Sequence, residues 1–351
     1  MRKTNQASGP FARDIAMDLG TTCVVVVTRG RGVLLQEPSV VAADRQSGKV
    51  LQAGEAARET LGRTPGDLIA IRPLREGVIS DYTIAQAMVE RFLKQAVPGG
   101  LTKPRLLICV PSGISEVEER AVVDAGLQSG ARRVYLMEEP LAAALGAGVD
   151  ISRPEGRMIV DIGGGTTDAA VISLGAVVTS TCLRSAGDRF DEALIRYVRQ
   201  EHDLLIGLRT AELVKKNIGQ VMGDENDDPV MEVKGRCLRT GLPRQLTLSA
   251  RQTEAAFLPV AEQLAGAVES VLERTPPELA ADVAAGGILL TGGGSLLRGM
   301  DRLLEQRTGI PTTVAEEPQL CVAMGLEMTL PTLSRRQEGV LGLARRRQLR
   351  P

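Results

Sequence analysis

Aromatic side chains are scarce in this chain: Phe, Tyr and Trp together supply 2% of its residues, and Trp is absent. Platforms for stacking nucleic-acid bases therefore have little to be built from. His202 is the only histidine, which argues against a His-based catalytic triad or a His-rich metal site. It follows a helix-like stretch and reads as a surface or helix-end residue. A formal charge of -1 gives no general attraction to nucleic acid or anionic lipid. No run of roughly 18 apolar residues is present, so no membrane-crossing helix is expected. Residues 1–12 lack the apolar segment of a secretory signal. The cysteines, Cys23, Cys109, Cys182, Cys237 and Cys321, are odd in number, widely spaced and mostly set in apolar runs. Buried thiols in a reducing cytosol are the expectation, and no pair has metal-ligand spacing.

The chain does have ordinary globular bulk. Its 351 residues are 43% hydrophobic and 24% charged, which excludes a disordered protein and suffices for two cored domains. Strand patterns in 14–28, 33–43, 106–110, 134–137, 230–233, 245–249, 288–290 and 312–314 alternate with helical periodicity in 55–62, 82–95, 116–130, 141–148, 190–201, 210–222, 251–273 and 320–330. A further helix is expected to start near Leu296. Ser115 followed by Glu118 reads as a capping box. The acidic segment 223–229 lacks EF-hand spacing and reads as a solvated loop. The alternation indicates an α/β protein with three-layer packing.

One short pattern occurs twice. Asp18-Leu19-Gly20-Thr21-Thr22 is entered from Ile15-Ala16-Met17 and left through Val24-Val25-Val26-Val27. Asp161-Ile162-Gly163-Gly164-Gly165-Thr166-Thr167-Asp168 lies between Met158-Ile159-Val160 and Ala169-Ala170-Val171-Ile172. Each reads as strand, tight turn, strand. Glycine lets backbone approach a ligand closely, and turn N–H groups with threonine hydroxyls suit phosphate oxygens. An Asp ending each buried strand can hold hydrated Mg²⁺ through water. Facing each other, two such hairpins would clamp a nucleoside triphosphate between two related domains.

These hairpins, the Glu138-Glu139-Pro140 helix start and the turn Thr291-Gly292-Gly293-Gly294, in this order, resemble the actin-like ATPase superfamily. Within it, residues 13–330 resemble the MreB family of bacterial actins. The stretches that carry this are Gln36-Glu37-Pro38-Ser39-Val40-Val41-Ala42, Gly62-Arg63-Thr64-Pro65-Gly66, Ala70-Ile71-Arg72-Pro73-Leu74, Ile108-Cys109-Val110-Pro111-Ser112-Gly113 and Thr275-Pro276-Pro277-Glu278-Leu279-Ala280-Ala281-Asp282.

The resemblance implies a duplicated actin-like, ribonuclease H-like α/β fold around an interdomain nucleotide cleft. Domain I would span 13–150 with an insert at 36–79, and domain II 151–319 with an insert at 189–257. A helix at 320–334 would return to domain I, ahead of a basic tail at 335–351. ATP and Mg²⁺ are the implied cofactors. Asp18 and Asp161 would hold Mg²⁺ through water. Glu139, with Asp161, would carry slow hydrolysis by polarising water. Gly20, Thr21 and Thr22 would meet the phosphates from one side and Gly163, Gly164, Gly165, Thr166 and Thr167 from the other. Gly187, Asp188, Lys215, Gly292, Gly293 and Gly294 would complete the nucleotide contacts.

The implied partners are further copies of the chain in head-to-tail filaments, the inner face of the cytoplasmic membrane and membrane proteins of cell-wall elongation, with no nucleic acid. The implied location is cytoplasmic, peripheral at the plasma membrane, and the implied role is setting rod shape. The chain departs from the family pattern at Cys23, at Asn217 (commonly a ribose-binding Glu), at Asp168 (a Glu) and at Leu320 (an Asp). A weakly hydrolysing or non-hydrolysing scaffold and a sugar-kinase-like enzyme are the rival expectations. Lipid contact is expected from the loop around Leu101 or from the tail, whose six arginines stand against one glutamate.

Overall fold

A computed structural model of the protein describes residues 14–60, 66–98, 103–224 and 226–335. Leu101 and the tail beyond Arg335 lie outside the described residues.

The first lobe contains β1 (Asp14–Leu19), β2 (Cys23–Thr28), β3 (Gly32–Pro38), β4 (Val41–Asp44), β5 (Val50–Ala53), α1 (Glu55–Arg58), β6 (Leu68–Ile71), β7 (Leu74–Arg75), β8 (Val78–Ile79), α2 (Tyr82–Ala96), β9 (Arg105–Val110), α3 (Glu116–Gln128), β10 (Arg133–Glu138) and α4 (Glu139–Gly146). Its main sheet has the order β10-β9-β1-β2-β3. β1 runs parallel to β9 and antiparallel to β2. Period-two alternation sends Ile15 and Met17 towards Met88 and Phe92 of α2. Ala16 faces the other way, towards Ala142 and Ala143 of α4. Both faces are covered, which is why the strands are continuously apolar. β4, β5 and β6 form a small sheet of their own, and β7 pairs with β8. The turn joining that pair, Glu76-Gly77, has φ of 50° and 76°, as a two-residue hairpin of primed type requires. The capping box at Ser115 forms as read.

The second lobe contains β11 (Arg157–Ile162), β12 (Thr167–Ser173), β13 (Ala176–Leu183), α5 (Gly187–His202), β14 (Leu204–Leu205), α6 (Leu208–Ile218), β15 (Val230–Cys237), β16 (Pro243–Ser249), α7 (Ala250–Glu273), α8 (Pro277–Gly286), β17 (Ile288–Thr291), α9 (Met300–Thr308) and β18 (Thr312–Val314). Its main sheet has the order β13-β12-β11-β17-β18. α7 is long and apolar enough to cross a membrane by composition. Its stripe of Phe257, Val260, Leu264, Val268 and Val271 is nevertheless buried in the second core. α10 (Cys321–Thr329) then returns to pack on α4 and on β1 and β2.

Several helix limits differ from the sequence reading, as at α1, which ends at Arg58, and at two further places. The helix expected near Leu296 begins at Met300, because 293–296 form a 3-10 turn and Gly299 takes φ 80°. The helix expected to reach 222 ends at Ile218, where Gly219 turns extended. His202 ends α5 and has its ring beside the Gln252 amide, 3.1 Å away.

Candidate functional site

The turns after β1 and β11 meet face to face. A Cβ on Gly164 would lie 2.3 Å from Thr22 Cγ2, and one on Gly165 would lie 2.5 Å from Thr21 Oγ1. Only glycine permits that approach. Beside this contact a cavity of about 720 Å³ opens between the lobes. Gly20, Thr21, Thr22, Gly163, Gly164, Gly165 and Thr166 line it, with Asp18, Glu139 and Asp161 beneath. Gly187, Asp188, Lys215, Gly292, Gly293 and Gly294 complete the wall.

Thr167 is the exception among the expected contacts. It is buried at the start of β12, and its hydroxyl donates to the Ser185 carbonyl at 2.8 Å. It thus holds the segment before α5 and does not face the cavity. Asp188 reaches the rim, but its carboxylate accepts from Arg72 Nη1 at 2.9 Å, across the mouth from the first lobe. Gly292, at φ 80°, and Gly294 pack on Ile162, where a Cβ would fall 2.4 Å and 2.3 Å from Ile162 atoms. These glycines bring the exit of β17 against the end of β11.

The floor is a group of carboxylates, with Asp161 buried and Asp18 and Glu139 half-buried. Asp161 accepts from Thr291 Oγ1 at 2.7 Å, yet desolvation raises it to about 6. Asp18 accepts from Cys109 Sγ at 3.0 Å. Desolvation raises it to about 6, the Cys109 bond opposes this, and the charge of Asp161 adds to it. Glu139 opens α4 and is pushed well above the usual carboxylate range by desolvation, then by the charges of Asp168, Asp161 and Asp18. Like-charged oxygens gathered out of water call for a cation. An all-oxygen carboxylate pair with room for water suits Mg²⁺, so the residues present fit that ion. All five cysteines are free thiols.

Farther along the wall, Lys215 Nζ donates to the Gly187 carbonyl at 2.7 Å and to Asp191 Oδ2 at 2.9 Å. Asn217 points elsewhere, its amide donating to Leu213 O at 2.7 Å. Glu212, one turn earlier on α6, lines the cavity beside Lys216.

Sequence reasoning missed Asp191, Arg72, Gly77 and Glu212. Asp191 left a trace, since it is an acid inside the apolar stripe Phe190, Leu194, Val198 of α5. Gly77 also left one, as the glycine of a two-residue turn whose N–H donates to Thr21 Oγ1 at 3.1 Å. Arg72 gave no signal, because its partner Asp188 lies on the other lobe, and Glu212 reads as half of an ordinary helical pair with Lys216.

The sequence matches the family model described as MreB/Mbl protein over residues 12–338. It is 48% identical to the cell shape-determining protein Mbl of Bacillus subtilis over 326 residues, covering 93% of this chain and 98% of that one. It is 47% identical to the cell shape-determining protein MreB of Escherichia coli over 324 residues, covering 90% and 93%. The structure is similar to that of MreB5 of Spiroplasma citri bound to ADP, with TM-score 0.88, 35% identity and coverage of 92% and 98%. It also shares its fold with MamK in a double helical filament, at TM-score 0.78 and 23% identity over 93% of this chain and all of that one.

Proposed function

Since this chain belongs to the MreB/Mbl family of cell shape-determining proteins and has their two-domain actin-like fold, we propose that it binds Mg²⁺-ATP between its lobes and assembles head to tail into filaments. The observation that carries this reading is the pair of Asp-led hairpins meeting beside one cavity, with Glu139 at its floor. ADP and AMPPNP in structures of MreB5 add support.

Backbone N–H groups of Gly164 and Gly165, with the hydroxyls of Thr21 and Thr22, hold phosphate oxygens, while the Gly163 N–H closes the turn on the Thr166 carbonyl at 2.9 Å. Lys215, fixed by Asp191 and the Gly187 carbonyl, holds the sugar side of the nucleotide. Asp18 and Asp161 would hold Mg²⁺ through water, and the ion would supply positive charge against the phosphates. Glu139 orients water for in-line attack on the γ-phosphate.

Domain limits of 13–150 and 151–319, with inserts at 36–79 and 189–257, go with this reading, as does the return of 320–334 to the first domain. A ligand gripped from both sides favours closed lobes, and a heterologous contact that does not close on itself extends into a filament. Such filaments act in the cytoplasm at the inner face of the membrane, with cell-wall elongation proteins, to set rod shape. Phosphate release from Mg²⁺-ATP by wild type and Glu139→Ala tests this. Release should be slow in wild type and nearly lost in the variant, with nucleotide affinity kept. Equal rates would remove Glu139 from its role. Asn217, turned away from the cavity, favours a weakly hydrolysing scaffold as the second reading. Filaments forming with ATP but without any phosphate release would select it.

A further inference from the structure

Asp168 is a departure from the family pattern that the nucleotide reading leaves unused, and it is 1% exposed. It lies directly opposite Asp161 in the β11–β12 pair and opposite Cys182 in the β12–β13 pair. Residues directly opposite in an antiparallel pair point to the same face. On that face Ile159 and Ile172 pack with the core around α4, so Asp168 belongs to the side of the sheet that α4 covers. One oxygen, Oδ1, accepts the backbone N–H of Ser112 at 2.7 Å, and Oδ2 accepts from Cys182 Sγ at 3.3 Å.

Ser112 belongs to the other lobe. It stands two residues past Val110, the end of β9. Val110 pairs with Glu138, the end of β10, and the next residue is Glu139. The β9 exit and the start of α4 are therefore side by side, and Asp168 ties the first of them to the second hairpin. A backbone amide is a well-aimed donor, and a bond from it to a carboxylate is among the stronger hydrogen bonds.

We propose that Asp168 is a positioning residue, whose bond to the Ser112 amide fixes Glu139 of the first lobe against the hairpin of the second. Asp168 does not line the cavity; besides the charge it places near Glu139, it acts through the loop. This rests on the hydrolysis reading above. It separates the two lobes' contributions: the second hairpin grips phosphate, while the first lobe supplies the water-orienting carboxylate. The Ser112–Asp168 bond sets their separation. Small displacements of a catalytic group cost up to about a hundredfold in rate.

The test compares Asp168→Ala, which removes the acceptor, with Asp168→Asn, whose Oδ1 still accepts the amide. Phosphate release from Mg²⁺-ATP should fall about tenfold or more in kcat for Asp168→Ala, with KM little changed, and Asp168→Asn should keep most of the rate. Cys182→Ala, which leaves the Ser112 bond in place, should match wild type. Equal losses in the Ala and Asn variants, or none in the Ala variant, would overturn the proposal. Deuterium exchange at the Ser112 amide of the wild-type protein needs no variant to fold. Slow exchange is expected, and exchange at the rate of an exposed amide would refute the latch itself. Wild type that releases no phosphate would instead refute the hydrolysis reading, and the positioning role with it, while the exchange still reports the bond.

Discussion

Gly164 and Thr22, from opposite lobes, approach so closely that a Cβ at 164 would sit 2.3 Å from the threonine Cγ2. The contact joins the two turns that grip phosphate in the proposed function. Gly164→Val should therefore spread the hairpins and weaken Mg²⁺-ATP binding by tenfold or more in calorimetry. Gly30→Ala is the matched control. It has φ 71° but nothing within 4 Å of its added Cβ, so it should cost about 1 kcal/mol of stability through backbone strain and leave affinity unchanged. Equal affinities in the two variants would mean that the hairpin contact does not shape the site.

Lys215 and Asp191 form a buried pair, with side chains 16% and 7% exposed. Removing one partner strands the other's charge out of water, at a cost of about 3 kcal/mol. Lys215→Met should lose roughly that much in urea unfolding. It should also weaken nucleotide binding, since Lys215 is part of the cavity wall. A variant as stable as wild type would show that the pair is not buried in solution.

Behind the cleft, α10 returns from the second lobe to the first, where it crosses α4 on glycines. A Cβ on Gly146 would lie 1.8 Å from the Cys321 carbonyl, and one on Gly325 would lie 1.8 Å from the Ala142 carbonyl. Gly325→Ala should thus destabilise by about 1–3 kcal/mol through overpacking, despite alanine's better helix propensity. Gly266→Ala in α7, with open space around it, should instead stabilise by about 0.5–1 kcal/mol. Thermal melts of both variants check the pair of signs.

The desolvated carboxylates give the ligand-free protein a defined pH response. Asp18 and Asp161 rise to about 6 and Asp168 to about 7 from 3.8, each chiefly by desolvation. Their folded-state values lie above the unfolded ones, so the folded state holds extra protons between about pH 4 and 7. The stability they contribute is fully present below the unfolded value and is lost as pH rises through the folded values. Asp44 and Asp150 are shifted down by hydrogen bonds from Ser47 and Ser152, so their contribution is lost only at more acid pH. The melting temperature without nucleotide or Mg²⁺ should fall from pH 5 to pH 8, and less steeply in Asp161→Asn. A flat or rising profile would show that these groups are solvated.

Much of this was legible before the structure. The hairpins, the α/β alternation and the capping box at Ser115 rest on local patterns, namely glycine turns, apolar periodicity and Ser-to-Glu spacing. β13, with its half-exposed Ala-Val-Val-Thr-Ser-Thr-Cys-Leu, was not, because an edge strand next to polar surface lacks a clean alternation. Thr167 was misplaced since one residue's shift along a strand reverses its facing. The Ser112–Asp168 bond and the Arg72–Asp188 pair link residues 56 and 116 positions apart. Local sequence carries no trace of such distances. α6 ends at Ile218 because Gly219 turns extended, where an added Cβ would meet the Lys215 carbonyl and Leu297.

Calorimetric titration of Mg²⁺-ATP into the wild-type chain, repeated with Asp161→Ala, tests the central claim most directly. The account predicts one nucleotide per chain for wild type and clearly weakened binding once the Asp161 carboxylate is gone. No binding heat with wild type, or the same affinity in both proteins, would contradict a nucleotide site between the two hairpins.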